Sequence, residues 1–137
     1  MATTLLQHWI ELKYRVMFFI QRGRRGWCDE DTWAIDFWLL RNLIPMLERL
    51  RIDPIGPPMN MYRKKDGVDK NGYPTINADR LAEQRWYNLL GEILYGLKCA
   101  KKIQDERLLD KELMKRLTDS YQRSFKLIGK YLFSMWD

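Results

Sequence analysis

The chain has 137 residues, with 24 Lys and Arg against 18 Asp and Glu, a net charge of +6, six Trp, two Cys and one His. That length suits one domain with a core that needs neither disulfides nor a structural metal, and the tryptophans exclude a disordered chain. The positive surplus favours an anionic partner without choosing one.

The first residues lack a basic stretch followed by an apolar run, so no secretory signal is expected. The longest apolar stretch, Val16 to Ile20, has five residues, far fewer than the roughly 20 that span a bilayer. Cys28 and Cys99 are too far apart for a CxxC pair and read as reduced thiols. The expectation is a cytoplasmic protein with no membrane association.

The first helix is predicted over 4–21. Leu5, Trp9, Leu12, Val16 and Phe19 step 4-3-4-3, so they share one face, which Ile10, Met17 and Ile20 widen. Gly23 is expected to end it, leaving Arg22, Arg24 and Arg25 at a helix C-terminus, where positive charge is favourable. Next comes Gly26-Trp27-Cys28-Asp29-Glu30-Asp31-Thr32-Trp33. Asp29 is the expected N-cap of a second helix over 30–52, with Glu30 and Asp31 in its first turn and Trp27 or Cys28 stapled on Trp33. This helix is apolar over more than half its surface and is expected to be central. Pro45 predicts a kink or break near Arg41 to Ile44. Asp36, between Trp33 and Leu40 on the apolar side, is expected to be partly buried and in need of a partner.

Residues 53–77 form a long basic connection with turn dipeptides Asp66-Gly67 and Asn71-Gly72. A link of that length is functional or mobile, and a short hairpin fits either dipeptide. A third helix is predicted over 78–102, capped by Asn77 or Asp79. Its internal Gly91 and Gly96 imply close helix contacts or room for a ligand, since mid-helix glycine costs about 1 kcal/mol. A fourth, over 107–136, is its antiparallel neighbour. The fold class is therefore all-α: a four-helix-bundle-like single domain, 1–137, with one long, basic connection between helices 2 and 3.

One histidine and two separated cysteines exclude the usual metal sites, so no metal and no cofactor are expected. Asp69, Asn71, Gly72 and Tyr73 echo a calcium loop only faintly, because its twelfth position is Arg80. No nucleophile motif or phosphate-cradling loop is present, so the chain reads as a non-enzyme. The carboxylates Asp29 and Asp36 read as structural polar groups. Trp9, Trp33, Trp38 and Trp86 read as core. Arg22, Arg24, Arg25 and Trp27, at a loop-to-helix junction, are the candidate ligand-binding residues, with Lys64 and Lys65 as a lid: Arg and Lys neutralise phosphate and Trp stacks on a base.

Three motifs carry a resemblance. They are the Gly26–Asp36 stretch with Ile44-Pro45-Met46-Leu47-Glu48-Arg49-Leu50, Trp86 with Leu90, Gly91, Ile93 and Leu94, and the ending Phe125-Lys126-Leu127-Ile128-Gly129-Lys130-Tyr131-Leu132-Phe133-Ser134-Met135-Trp136-Asp137. In these the chain resembles small helical proteins of tailed bacteriophages, departing from them at Cys28, where serine is expected, and in its longer, more basic connection. The resemblance implies viral origin and action in the host bacterial cytoplasm. It supplies no catalytic residue. The leading expectation is a phage accessory protein that binds an anionic ligand, in its sharpest form a counter-defence protein sequestering a host nucleotide signal. The alternatives are a protein-binding inhibitor of a host factor or assembly component, and a nucleic-acid-binding protein. A homo-oligomer is compatible with helices this apolar.

Overall fold

A computed structural model describes residues 2–106 and 108–135. Arg107 and Trp136, the expected ends of the fourth helix, and Asp137 lie outside the described residues. Four α-helices, α1 (Ala2–Arg25), α2 (Ile35–Ile52), α3 (Ile76–Asp105) and α4 (Lys111–Tyr131), give an all-α fold. Among the described residues there is no strand, only an isolated antiparallel bridge between Val68 and Pro74. The chain divides into two compact units, Met1–Leu39 and Leu40–Asp137.

In the first unit α1 runs past Gly23 to Arg25. Gly26, at φ +78, ends it and donates its N–H to the Arg22 carbonyl at 2.9 Å. A glycine can be carried inside a helix, whereas the left-handed residue at the exit favours one. Residues Asp29–Trp33 form a 3-10 turn rather than the start of α2, and Ala34, at φ −140 and ψ 58, separates the two. Cys28, not Asp29, occupies the cap position, because the Asp29 carboxylate is held by Gln21 and Arg25. The tryptophans of this unit are not core: Trp9 is 68% exposed and Trp33 87%, so no staple forms on Trp33. Asp36 is exposed and has a partner. Its neighbours Ile35 and Phe37 are exposed too, so the expected partial burial does not occur.

The second unit holds the hydrophobic core. Leu40, Ile44 and Leu47 of α2 meet Ala82, Trp86, Leu90, Ile93, Leu94 and Leu97 of α3, and Leu127, Ile128 and Tyr131 of α4 pack against them. The central helix is thus α3, with nine buried residues, and not α2, whose Met46 and Ile52 remain exposed. The break expected at Pro45 does not occur: α2 is continuous through it. Pro45 and Arg41 are both exposed, so water can serve the carbonyl that loses its donor.

Helices α3 and α4 are antiparallel, with Gly96 against Ser120 and Ser124 while Glu92 meets Arg123 at 2.6 Å. A Cβ at Gly96 would overlap the Ser124 hydroxyl and approach the Ser120 carbonyl oxygen to 2.5 Å. Buried Ser124 donates to the Glu92 carbonyl at 3.3 Å. The α4 cap is Asp110, accepting from the Leu113 N–H at 2.9 Å. For α3 it is Thr75, not Asn77 or Asp79, accepting from Ala78 at 3.3 Å.

The connection is ordered by specific contacts. Arg85 of α3 grips the nearly buried Asp66 at 2.5 and 2.8 Å and also donates to the Met61 carbonyl at 2.8 Å. Tyr62 donates to Asp79 at 2.8 Å. Asp69 accepts from the N–H groups of Asn71 and Tyr73 at 2.7 and 2.9 Å, so the carboxylate of the faint calcium echo closes a turn instead.

Three substitutions test this arrangement. Gly96→Ala is expected to cost about 2–3 kcal/mol by urea denaturation, since backbone must move. Gly91→Ala is expected to stay within about 1 kcal/mol of wild type, because the group it meets is the flexible end of Arg51. Asp66→Asn is expected to leave helicity unchanged while tryptic cleavage after Arg63, Lys64 or Lys65 accelerates on the order of tenfold. Unaltered cleavage would show that the Arg85 contact does not order the connection.

Candidate functional site

The junction singled out by sequence folds into a charge-locked elbow. Arg22 lies side-on to Asp31, its Nε and Nη2 donating at 3.1 and 2.8 Å, with Glu30 at 3.9 Å. Arg25 pairs with Asp29, donates to the Trp27 carbonyl at 3.2 Å and stacks on the Trp27 ring at 4.0 Å. The Gln21 amide donates to Asp29 at 2.7 Å and accepts from the Asp29 N–H at 2.9 Å. Thr32 donates to the Asp29 carbonyl at 2.7 Å. Asp31 also accepts from the Cys28 N–H at 2.8 Å, and the Cys28 thiol is fully buried beneath this set.

The electrostatics follow. Hydrogen bonds from Arg22, then from the Cys28 N–H, hold the Asp31 carboxyl well below the usual carboxylate range against the opposing effect of desolvation. Gln21 first, then Arg25, lower Asp29. Arg22 is raised in return by its bond to Asp31.

Of the predicted ligand residues, Arg22, Arg25 and Trp27 come together here, but around the chain's own carboxylates. An anion at either guanidinium would compete with these carboxylates. Arg24 is exposed. Lys64 and Lys65 are exposed in a 3-10 turn of the second unit. Beside the elbow, Trp27, Asp31, Thr32, Ile35 and Trp38 line an open recess of about 240 Å³.

Two further features went unassigned in the sequence. One is the apolar face of α1, exposed from Leu5 to Ile20. The other is a groove of about 440 Å³ in the second unit, lined by Glu48, Arg51, Tyr87, Gly91, Tyr95 and Lys98 among others. Its signal was Gly91, whose missing side chain makes room for Arg51.

Among the described residues no group of three or more His, Cys, Asp or Glu is placed to hold a metal, and no helix is long and apolar enough to cross a membrane. No protein-family model matches the chain, and neither a curated protein nor a solved structure matches it.

The elbow has a signed pH dependence. With the folded-state values of Asp29 and Asp31 lowered, their contribution is complete above the unfolded value of about 3.9 and is lost as pH falls from there through the lowered values. Asp31→Asn removes the main acceptor at any pH. At neutral pH, alkylation of Cys28 followed by mass spectrometry is expected to quicken on the order of tenfold in that variant, with Cys99 unchanged. Equal rates at Cys28 would show that the Arg22–Asp31 pair does not close the elbow.

Proposed function

We propose that this chain is a non-enzymatic interaction protein that works by helix docking through α1, with a second copy of itself as the occupant of that face. The carrying observation is the size and pattern of the face. Leu5, Trp9, Leu12, Val16 and Phe19 keep the 4-3-4-3 spacing of a coiled-coil seam, and all five are at least half exposed. With Leu6, Ile10 and Ile20 they expose on the order of 900 Å², taking roughly 200 Å² for a large side chain. A standard interface needs about 800 Å² per partner, and a soluble monomer seldom leaves so large an apolar patch uncovered.

Charge does not oppose the pairing. Arg22 and Arg25 are neutralised at the elbow by Asp31 and Asp29. Along the seam itself only Glu11, Lys13 and Arg15 carry formal charge, a net of +1. This supports the reading as a protein-binding or assembly component, in the phage setting that the resemblance implies, over anion capture at the elbow.

Light scattering coupled to size exclusion tests it. The expected mass is twice the 16.6 kDa of the chain, and Leu12→Glu is expected to halve it while circular dichroism keeps its helical signal. Charge reversal at Arg24 is expected to change nothing. A wild-type monomer at about 50 μM would overturn the reading, since a face this large should saturate there.

A further inference from the structure

Within the second unit Arg51 is held by an aromatic ring and a backbone carbonyl rather than by a carboxylate. Arg49, Arg85 and Arg123 each face a carboxylate, Asp53, Asp66 and Glu92 respectively. No ion pair among the described residues neutralises Arg51. Its guanidinium instead lies over the Tyr87 ring at 3.9 Å, and its Nε donates to the Tyr87 carbonyl at 3.2 Å. It rests on the bare backbone of Gly91, where a Cβ would come within 2.8 Å of Nη2. The side chain is thus positioned before any ligand arrives, which lowers the ordering cost of binding, and its full charge remains available.

The groove around it has the remaining parts of a small-molecule site. Its volume, about 440 Å³, lies in the range that holds a small ligand. Tyr95, on the same wall, is 66% exposed and presents a ring face for stacking. Lys98 supplies a second cation, held at 2.7 Å by Glu48. A second recess of about 390 Å³ shares Arg51 and Tyr87 and adds Arg80. Charge assistance from a stacked arginine suits a phosphate or carboxylate, and an exposed tyrosine suits a planar ring.

We propose that this groove binds a small anion carrying a planar ring, of the nucleoside phosphate class. The anionic group sits between Arg51 and Lys98, and the ring lies on Tyr95. Glu48 is the internal competitor: it occupies Lys98 until the ligand's anion replaces it. The site uses residues of the second unit alone and is independent of docking through α1.

The test is a ¹⁵N NMR titration of the full chain with ADP, with adenosine and inorganic pyrophosphate as half-ligands. ADP is expected to shift the Gly91 and Tyr95 amides, and each half-ligand is expected to bind at least about tenfold more weakly. Arg51→Lys keeps the charge but loses the planar stack, and is expected to weaken ADP on the order of tenfold. Glu48→Gln releases Lys98 and is expected to tighten ADP a few-fold, an effect opposite in sign to that of damage to the fold. Absence of shifts at Gly91 and Tyr95 with millimolar ADP overturns the site. Pyrophosphate binding as tightly as ADP overturns the place given to the ring. Weaker binding in Glu48→Gln overturns the place given to the anion.

Discussion

At Gly96 the backbone of α3 comes against Ser124 and the Ser120 carbonyl of α4, and the second unit depends on that approach. A side chain at Gly96 would push the helices apart and take Leu127, Ile128 and Tyr131 off the core they pack against. Close approach also explains how a serine is buried without penalty. Its hydroxyl reaches the Glu92 carbonyl across the interface, so the polar atom lost to water is bonded within the protein. Arg123 and Glu92 close the rim of the same contact.

The two helix-internal glycines of α3 serve opposite ends. Gly96 lets another helix in, and Gly91 lets a side chain lie down. The first faces the Ser120 backbone and the Ser124 side chain, the second the guanidinium end of Arg51. On the flank of the same helix, Arg85 uses both nitrogens of its fork on Asp66 and still reaches the Met61 carbonyl. One side chain thereby ties down a connection that has almost no secondary structure of its own.

Helical periodicity was legible throughout: every one of the four predicted segments is a helix, since a 3.6-residue apolar repeat over several turns has no other economical reading. Ends were less so. Thr75, Asn77 and Asp79 all have capping chemistry, and the choice among them rests on which one has an extended backbone. At Asp29, competition from Gln21 and Arg25 moved the cap to Cys28. Apolar content does not rank the helices by burial. Ile35, Phe37 and Ile52 make α2 rich in apolar residues, yet they lie exposed. The aromatic face of α1 was visible in the spacing, but what it packs against is not a property of periodicity. At the candidate sites, the carboxylates beside Arg22 and Arg25 were readable as partners. Arg51 looked like any basic residue in a last turn, and only Gly91 hinted otherwise.

The elbow closes over very short stretches of chain. Its bonds join residues 4, 8 and 9 positions apart. The second unit is closed by bonds spanning 19 and 32 positions, Arg85 to Asp66 and Ser124 to Glu92. Loop-closure entropy favours the shorter set, and local contacts form fastest. During synthesis from the N-terminus, the first unit is therefore expected to take shape while the core helices are still being made. For that interval α1 displays its aromatic seam beside an unfinished chain, so the order of assembly is written into the polarity of translation.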